Sequence, residues 1–244
     1  GFYTNYIKLV WGSWCAIVLV LRTVVLEIRT MKILELYSGT QSISKVFRQG
    51  GHEAYTIDLS PEFKPNLELN MLDFDIKLLP KEWREPDIIW ASPPCTTFSV
   101  MSIGHYWKNG RPKHYKTFIG LALAIKAIQI IQELRPKYWF IENPVGMLRK
   151  QHFMEVLPRK TVHYCQYGEK YQKPTDIWSN ASGWIPRKRC KNGDPCHEPG
   201  PRGNVKTGVQ SLDNNMIRGI IPKELCKEIL LFCEGGAQVK QQTL

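Results

Sequence analysis

The stretch "KILELYSGTQSISKVFRQGGHEAYTIDLS", residues 32–60, decides the fold, because its residue pattern changes twice within one short span. "KILELY" (32–37) is an apolar run of strand length, "QSISKVFRQGG" (41–51) fits a helix ended by glycines, and "EAYTIDLS" (53–60) is a second strand. Strand, helix and strand in that order are the start of a βαβ unit, so a parallel sheet is expected.

Working outward, "DIIWAS" (87–92) is a further strand and "TFIGLALAIKAIQIIQEL" (117–134) a long helix stopped by Pro136. "KYWFIEN" (137–143) is the strand that follows. The order is that of a Rossmann-like α/β domain, whose ligands sit at the carboxyl ends of the strands. Beyond Gly168 the texture turns to Pro, Gly, Lys and Arg, as in "WIPRKRCKNGDPCHEPGPRGNVKTG" (184–208), which reads as a loop-rich insert without its own core. "IRGIIPKELCKEILLFCEGG" (217–236) restores a helix, with Pro222 at its first turn and Gly235 after its end.

The 244 residues carry 33 Lys and Arg against 22 Asp and Glu, a formal charge of +11 that favours a polyanionic partner. Seven cysteines, odd in number and scattered, exclude a disulfide scaffold and place the chain in a reducing compartment, expected to be the cytoplasm of a bacterial or phage-infected cell. Residues 1–30 are an apolar extension, but Leu9 to Leu21 is short of the roughly 20 apolar residues of a membrane span. They are expected to precede a native start at Met31. The division expected is 31–165 for a catalytic, cofactor-binding domain, 166–216 for a strand motif and small recognition region, 217–236 for a closing helix and 237–244 for a tail.

Three strand ends carry candidate chemistry. "LELYSGTQSIS" (34–44) puts Ser38, Gly39 and Thr40 between the first strand and its helix, where backbone can approach a ligand closely. Asp58 closes the second strand, where a carboxylate accepts hydrogen bonds from ribose hydroxyls, and Asp73 in "NMLDFD" stands where a third strand would end, to receive an adenine amino group. "ASPPCTTFS" (91–99) presents Cys95 from a rigid turn, and "FIENP" (140–144) closes a strand with Glu142. Adjacent strand ends converge, so a thiolate nucleophile and a carboxylic acid able to protonate a ring nitrogen are expected in one cleft.

In these motifs the chain resembles the DNA (cytosine-5) methyltransferases, in a compact form similar to those encoded by bacteriophages. "ELYSGTQS" matches the cofactor loop, "SPPCTTFS" the nucleophile loop and "ENP" the glutamate motif. "QYGEKYQKPTDIW" (166–178) resembles the later strand motif and "RGIIPKELCKEI" (218–229) the closing helix, so the motifs follow the family's order over about 200 residues. The resemblance implies S-adenosylmethionine as cofactor, held by Tyr37, Ser38, Gly39 and Thr40 with Asp58, Asp73 and Pro93. It implies double-stranded DNA as substrate, with Cys95 as nucleophile at cytosine C6 and Glu142 on the N3 edge. Lys173 is the nearest equivalent of an arginine missing from the strand motif, and Pro94, Ser99 and Asn143 shape the base pocket.

Lys108 and Arg111, interleaved with His105, Tyr106, Trp107 and Tyr115, are expected in a mobile loop that closes over DNA, with cations on phosphate and aromatics on bases. Arg187, Arg189 and Arg202 belong to the recognition insert. Cys190, Cys196 and His197 offer zinc donors, but "CKNGDPCH" matches no standard finger and a fourth ligand would have to come from afar, at Cys165; structural cysteines are expected instead, and no metal. Cys226 and Cys233 share a helix face and are expected in the core. A monomer is expected, with a cognate restriction endonuclease as a candidate partner. Two other readings stay open: an amino-group DNA methyltransferase, which would carry an aromatic residue where Cys95 stands, and a DNA-binding regulator that keeps the fold without turnover.

Overall fold

In the computed structural model the βαβ unit runs from β1 (Lys32–Leu36) through α1 (Ser42–Gln49) to β2 (Glu53–Asp58), with the two strands parallel and Lys32 opposite Glu53. The described residues are 29–191, 193–199 and 215–235. The apolar extension up to residue 28, Arg202 and the tail 237–244 lie outside them, and Met31–Leu244 forms one unit.

Further strands are β3 (Leu67–Glu68), β4 (Ile88–Ala91), β7 (Tyr138–Pro144), β8 (Arg159–His163) and β9 (Pro174–Ser179). With β1 and β2 they form a seven-stranded sheet in the order β3-β2-β1-β4-β7-β9-β8, and β5 (Trp107–Lys108) pairs with β6 (Arg111–Pro112) in a separate hairpin. The first five strands of that order are mutually parallel, as expected. β9 departs from the expected pattern by running antiparallel to both β7 and β8.

Successive side chains of the central strands point to opposite faces, and both faces are covered. Leu34, Leu36, Ile89, Ala91, Ile141 and Trp178 pack on the side of α3 (Tyr115–Leu134). Ile33, Ile88, Trp90, Phe140 and Ile177 pack on the side of α1 and α6 (Lys223–Cys233), where Cys226 and Cys233 are buried as expected. Two short helices, α2 (Ile103–Tyr106) and α4 (His152–Glu155), lie in connections, and α5 (Asn215–Gly219) precedes α6. α3 is long and apolar enough to cross a membrane by length and composition. It is a core helix here, burying Thr117, Gly120, Ala124, Ala127, Ile131 and Leu134, a stripe at three- and four-residue spacing.

The third strand was expected to end at Asp73. It ends instead at Glu68, and Met71–Asp73 forms a 3₁₀ turn. Met71 and Phe74 are both buried and lie three apart, which a turn satisfies and an alternating strand does not.

Two buried carboxylates inside this frame carry stability. Asp176 of β9 is fully buried and held bidentately by Arg149, with a further 2.8 Å hydrogen bond from Thr161 Oγ1. Removing one partner of a buried pair strands the other, so Arg149→Ala is expected to cost about 3 kcal/mol, read as a lower denaturant midpoint. Glu35 of β1 accepts a 2.9 Å bond from the Ser44 amide in the first turn of α1, yet burial pushes its carboxyl up to about 7. Its folded pKa lies above its unfolded one, so the chain loses stability as pH rises from about 4.5 to about 7, by a few kcal/mol in order of magnitude. Glu35→Gln is expected to flatten that part of the stability profile in urea titrations.

Candidate active site

β4 and β7 are adjacent and parallel, with Ala91 opposite Ile141, so the loops that follow them leave the same edge of the sheet. Cys95 sits four residues past Ala91, and Glu142 is the residue after Ile141. The two loops are joined. Asn143 Nδ2 donates to the Pro93 carbonyl at 2.8 Å, Met147 N donates to the Phe98 carbonyl at 2.8 Å, and Ser99 bridges to Gly146. A Cβ at Gly146 would lie 2.0 Å from the Phe98 oxygen, so only glycine permits this approach. On the other side, a Cβ at Gly120 of α3 would lie 2.6 Å from Thr97 Oγ1. The nucleophile loop is thus clamped between the Glu142 loop and α3.

Cys95 remains partly accessible within this clamp. Burial raises its thiol pKa and the nearby Glu142 carboxylate raises it further, while the Lys173 ammonium opposes both. Glu142 is 7% exposed and its carboxyl is also pushed up by burial, against the pull of Lys173 and of hydrogen bonds from Tyr164 and Ser92. Tyr164 Oη donates to Glu142 Oε1 at 3.1 Å. Ser92 Oγ is oriented by Trp90 Nε1 at 2.9 Å. Lys173 has φ +31, donates to the Arg218 carbonyl at 2.6 Å and stands 4.5 Å from the centre of the Tyr164 ring. The sheet therefore brings a thiol, a carboxyl group that favours its proton and an ammonium into mutual electrostatic reach.

The cofactor loop lies at the same edge, after β1. Gly39 has φ +44 and open space where a Cβ would stand, and the buried Ser38 Oγ has no hydrogen-bond partner. An open backbone beside an orphaned hydroxyl fits a polar ligand such as the methionine part of a nucleoside cofactor. Asp58 also shapes the loop: Oδ2 accepts from the Gly39 amide at 2.8 Å and Oδ1 from the Ser60 amide at 2.9 Å, which leaves the second lone pair of each oxygen for a ribose hydroxyl. Tyr37 donates to the Leu123 carbonyl at 2.7 Å and ties the loop to α3, while Thr40 pairs with Ser42. Asp73 is exposed in its turn.

Several residues expected at the substrate also have partners within the protein. Asn143 is fully buried and joins the two loops through Nδ2, while its Oδ1 has no hydrogen-bond partner among the described residues. Ser99 pairs with Ser102 at 3.0 Å, while Pro94 is exposed beside Cys95. Trp107 is 4% exposed and donates to the Thr97 carbonyl at 2.6 Å, which makes it an anchor for the nucleophile loop and not a base-stacking residue. The loop expected to close over DNA contains the β5–β6 hairpin, turned by Asn109 and Gly110 with φ 49 and 76, and it exposes Lys108 and Arg111. Arg187 is engaged by the protein itself. It donates to Glu228 at 3.1 Å and the Gln166 carbonyl at 2.7 Å, and its guanidinium lies 4.6 Å from the Tyr167 ring centre. Glu228 also accepts from Trp184 Nε1 at 2.9 Å, which docks the insert on α6. Arg189 is exposed.

Sequence reasoning missed Tyr164, Ser92 and the Arg149–Asp176 pair. Arg149 reaches β9 from the loop after β7 and so puts a guanidinium on the strand whose own arginine is missing, a contact that no local pattern announces. Cys165, Cys190, Cys196 and His197, weighed in the sequence as zinc donors against structural cysteines, come together in space.

Residues 31–186 match the family model described as C-5 cytosine-specific DNA methylase. A Frog virus 3 (isolate Goorha) protein, named probable DNA (cytosine-5)-methyltransferase, is 34% identical over 184 residues, covering 73% of this chain and 82% of that protein. The type II methyltransferase M.FnuDI of Fusobacterium nucleatum is 26% identical over 128 residues, 50% of this chain and 35% of its own length. Among solved structures, the S. pombe Dnmt2 methyltransferase aligns with a TM-score of 0.43 at 14% identity, over 62% of this chain and 49% of that one. By the family model and the viral relative, the chain belongs to the C-5 cytosine-specific DNA methylases, a family that uses S-adenosylmethionine as its methyl donor.

Proposed function

We propose that this chain carries out its family's reaction, methylation of cytosine C5 in double-stranded DNA, with Cys95 as nucleophile and Glu142 as acid. The observation that carries this reading is the meeting of Cys95, Glu142 and Lys173 at neighbouring strand ends. Cytosine C5 is a poor nucleophile until a thiolate adds to C6. Cys95 makes that bond, while the Glu142 carboxyl donates its proton toward N3 and takes up the electron density that the addition pushes into the ring. S-adenosylmethionine supplies an electrophilic methyl group. The C5 proton passes to solvent, the C5–C6 double bond re-forms as the C6–S bond breaks to release the Cys95 thiolate, and N3 returns its proton to Glu142. A stacked base cannot reach a thiol held in this clamp, so the cytosine must leave the duplex, at a cost of a few kcal/mol. Ser38, Gly39 and Thr40 hold the cofactor's polar end, with Pro93 and Pro94 shaping the wall between cofactor and base.

Lys173 stabilises the thiolate electrostatically. Exposed Lys108, Arg111 and Arg189 supply cations for the phosphate backbone. The protein acts in a cytoplasmic compartment, where its thiols stay reduced. The test is incubation of the full chain with unmethylated DNA and S-adenosylmethionine, followed by mass spectrometry of the digested nucleosides. Appearance of 5-methylcytosine supports the reading. Methylation on an exocyclic amine, or DNA and cofactor binding without any methylated base, would replace it by the amino-group or the regulatory alternative.

A further inference from the structure

Cys165 lies in the 3₁₀ turn Tyr164–Tyr167 after β8, while Cys190, Cys196 and His197 come from the insert, 25 to 32 residues further along the chain. Their donor atoms all lie within 4.8 Å of one another. Sγ of Cys165 is 3.2 Å from that of Cys190 and 3.7 Å from that of Cys196, and His197 Nδ1 is 3.3 Å from Cys196 Sγ and 3.7 Å from Cys190 Sγ. These separations exceed the roughly 2.05 Å of a disulfide, and all three cysteines are free. Three of them lie within about 0.3 Å of the edges of a tetrahedron around zinc, about 3.8 Å between two sulfurs and about 3.6 Å between sulfur and nitrogen for ordinary zinc bond lengths, and the Cys165–Cys190 separation is about 0.6 Å shorter.

Two further observations point the same way. His197 is 7% exposed and its Nε2 has no hydrogen-bond partner, so among the described residues only the sulfurs orient this ring. Side-chain amides border the cluster: Gln166 Nε2 stands 3.3 Å from Cys196 Sγ, and Gln172 Nε2 stands 3.3 Å from both Sγ and the carbonyl of Cys190. Donors placed on thiolates in this way form the usual outer shell of a structural zinc site.

We propose that Cys165, Cys190, Cys196 and His197 bind one structural zinc ion that fastens the recognition insert to the turn carrying Tyr164. On binding, three thiol protons pass to solvent, and the site acquires a net charge of −1 beside Lys188, Arg189 and Lys191. The described part of the insert, from Asn180 to Pro199, has no helix or strand, and its large apolar Ile185 is 72% exposed. Trp184 is fully buried and fixes one end of the insert, but none of the described residues from Ile185 to Cys196 is buried, and a cross-link would hold that stretch in one shape. The same turn places Tyr164 on Glu142, so the zinc ties the insert to the catalytic acid.

The proposal is tested on the full chain, without reference to turnover, by metal analysis of protein purified without chelator and by cobalt substitution. About one zinc per chain is expected, with cobalt giving tetrahedral ligand-field bands and thiolate charge transfer. Cys190→Ser and His197→Ala are expected to lower zinc content at least about tenfold, while Cys95→Ser retains it. Should these variants fail to fold, the cobalt spectrum of the unaltered protein decides alone. Protein that is folded yet free of zinc and does not take up cobalt, iron in place of zinc, or an octahedral cobalt spectrum overturns the proposal.

Discussion

Cys95→Ser is expected to eliminate 5-methylcytosine formation, a loss of at least about a thousandfold in single-turnover rate, with little change in DNA or cofactor affinity. The pocket already disfavours ionisation of a thiol, through burial and through the charge of Glu142. A serine hydroxyl, much less acidic than a thiol, stays protonated there and cannot add to C6. The size of the effect follows from the role: without addition at C6, C5 never becomes electron-rich, and no other residue in the clamp substitutes. Retained binding separates a lost nucleophile from a collapsed loop. A Cys95→Ser protein that still methylates C5 at an appreciable rate would remove Cys95 from the mechanism.

Glu142→Gln is expected to slow methyl transfer by about a hundredfold to ten-thousandfold, the range of a positioned general acid. Glutamine keeps the shape and a hydrogen-bond donor, but has no proton of suitable acidity to give to N3. Its second consequence has the opposite sign. The carboxylate of Glu142 holds the Cys95 thiol pKa up, so its removal lowers that pKa. Alkylation of Cys95 by iodoacetamide is therefore expected to begin at lower pH in Glu142→Gln than in the parent, while catalysis falls. In the parent, activity rises with pH as Cys95 ionises and falls as Glu142 loses its proton, and burial moves both limbs toward higher pH. A variant that loses activity with no shift in the alkylation profile would place Glu142 out of reach of Cys95.

The βαβ start, the long helix and the strand ends bearing Cys95 and Glu142 are legible in the sequence because each is a local pattern: an apolar run, a proline stop, a residue after a strand. The residues that complete the site are not local. Tyr164 reaches Glu142 from 22 residues away and Arg149 reaches Asp176 across 27. Their identities mean little until β9 is known to lie between β7 and β8. β9 runs against its neighbours, which apolar alternation cannot reveal, since a strand's pattern reads the same in either direction. Charge misleads in a similar way: Arg187 has the look of a phosphate contact, yet Glu228 holds it on α6. Lys108, Arg111 and Arg189, by contrast, are exposed.

Glu228 accepts from Tyr167 before the insert, from Trp184 and Arg187 within it, and itself belongs to the last described helix. The insert is therefore not an independent cassette. A recombination event that exchanged residues 180–199 alone would bring in a foreign partner for a partly buried carboxylate and leave Tyr167 facing the wrong surface. The smallest piece that could be exchanged without breaking this joint runs from Tyr167 to Glu228.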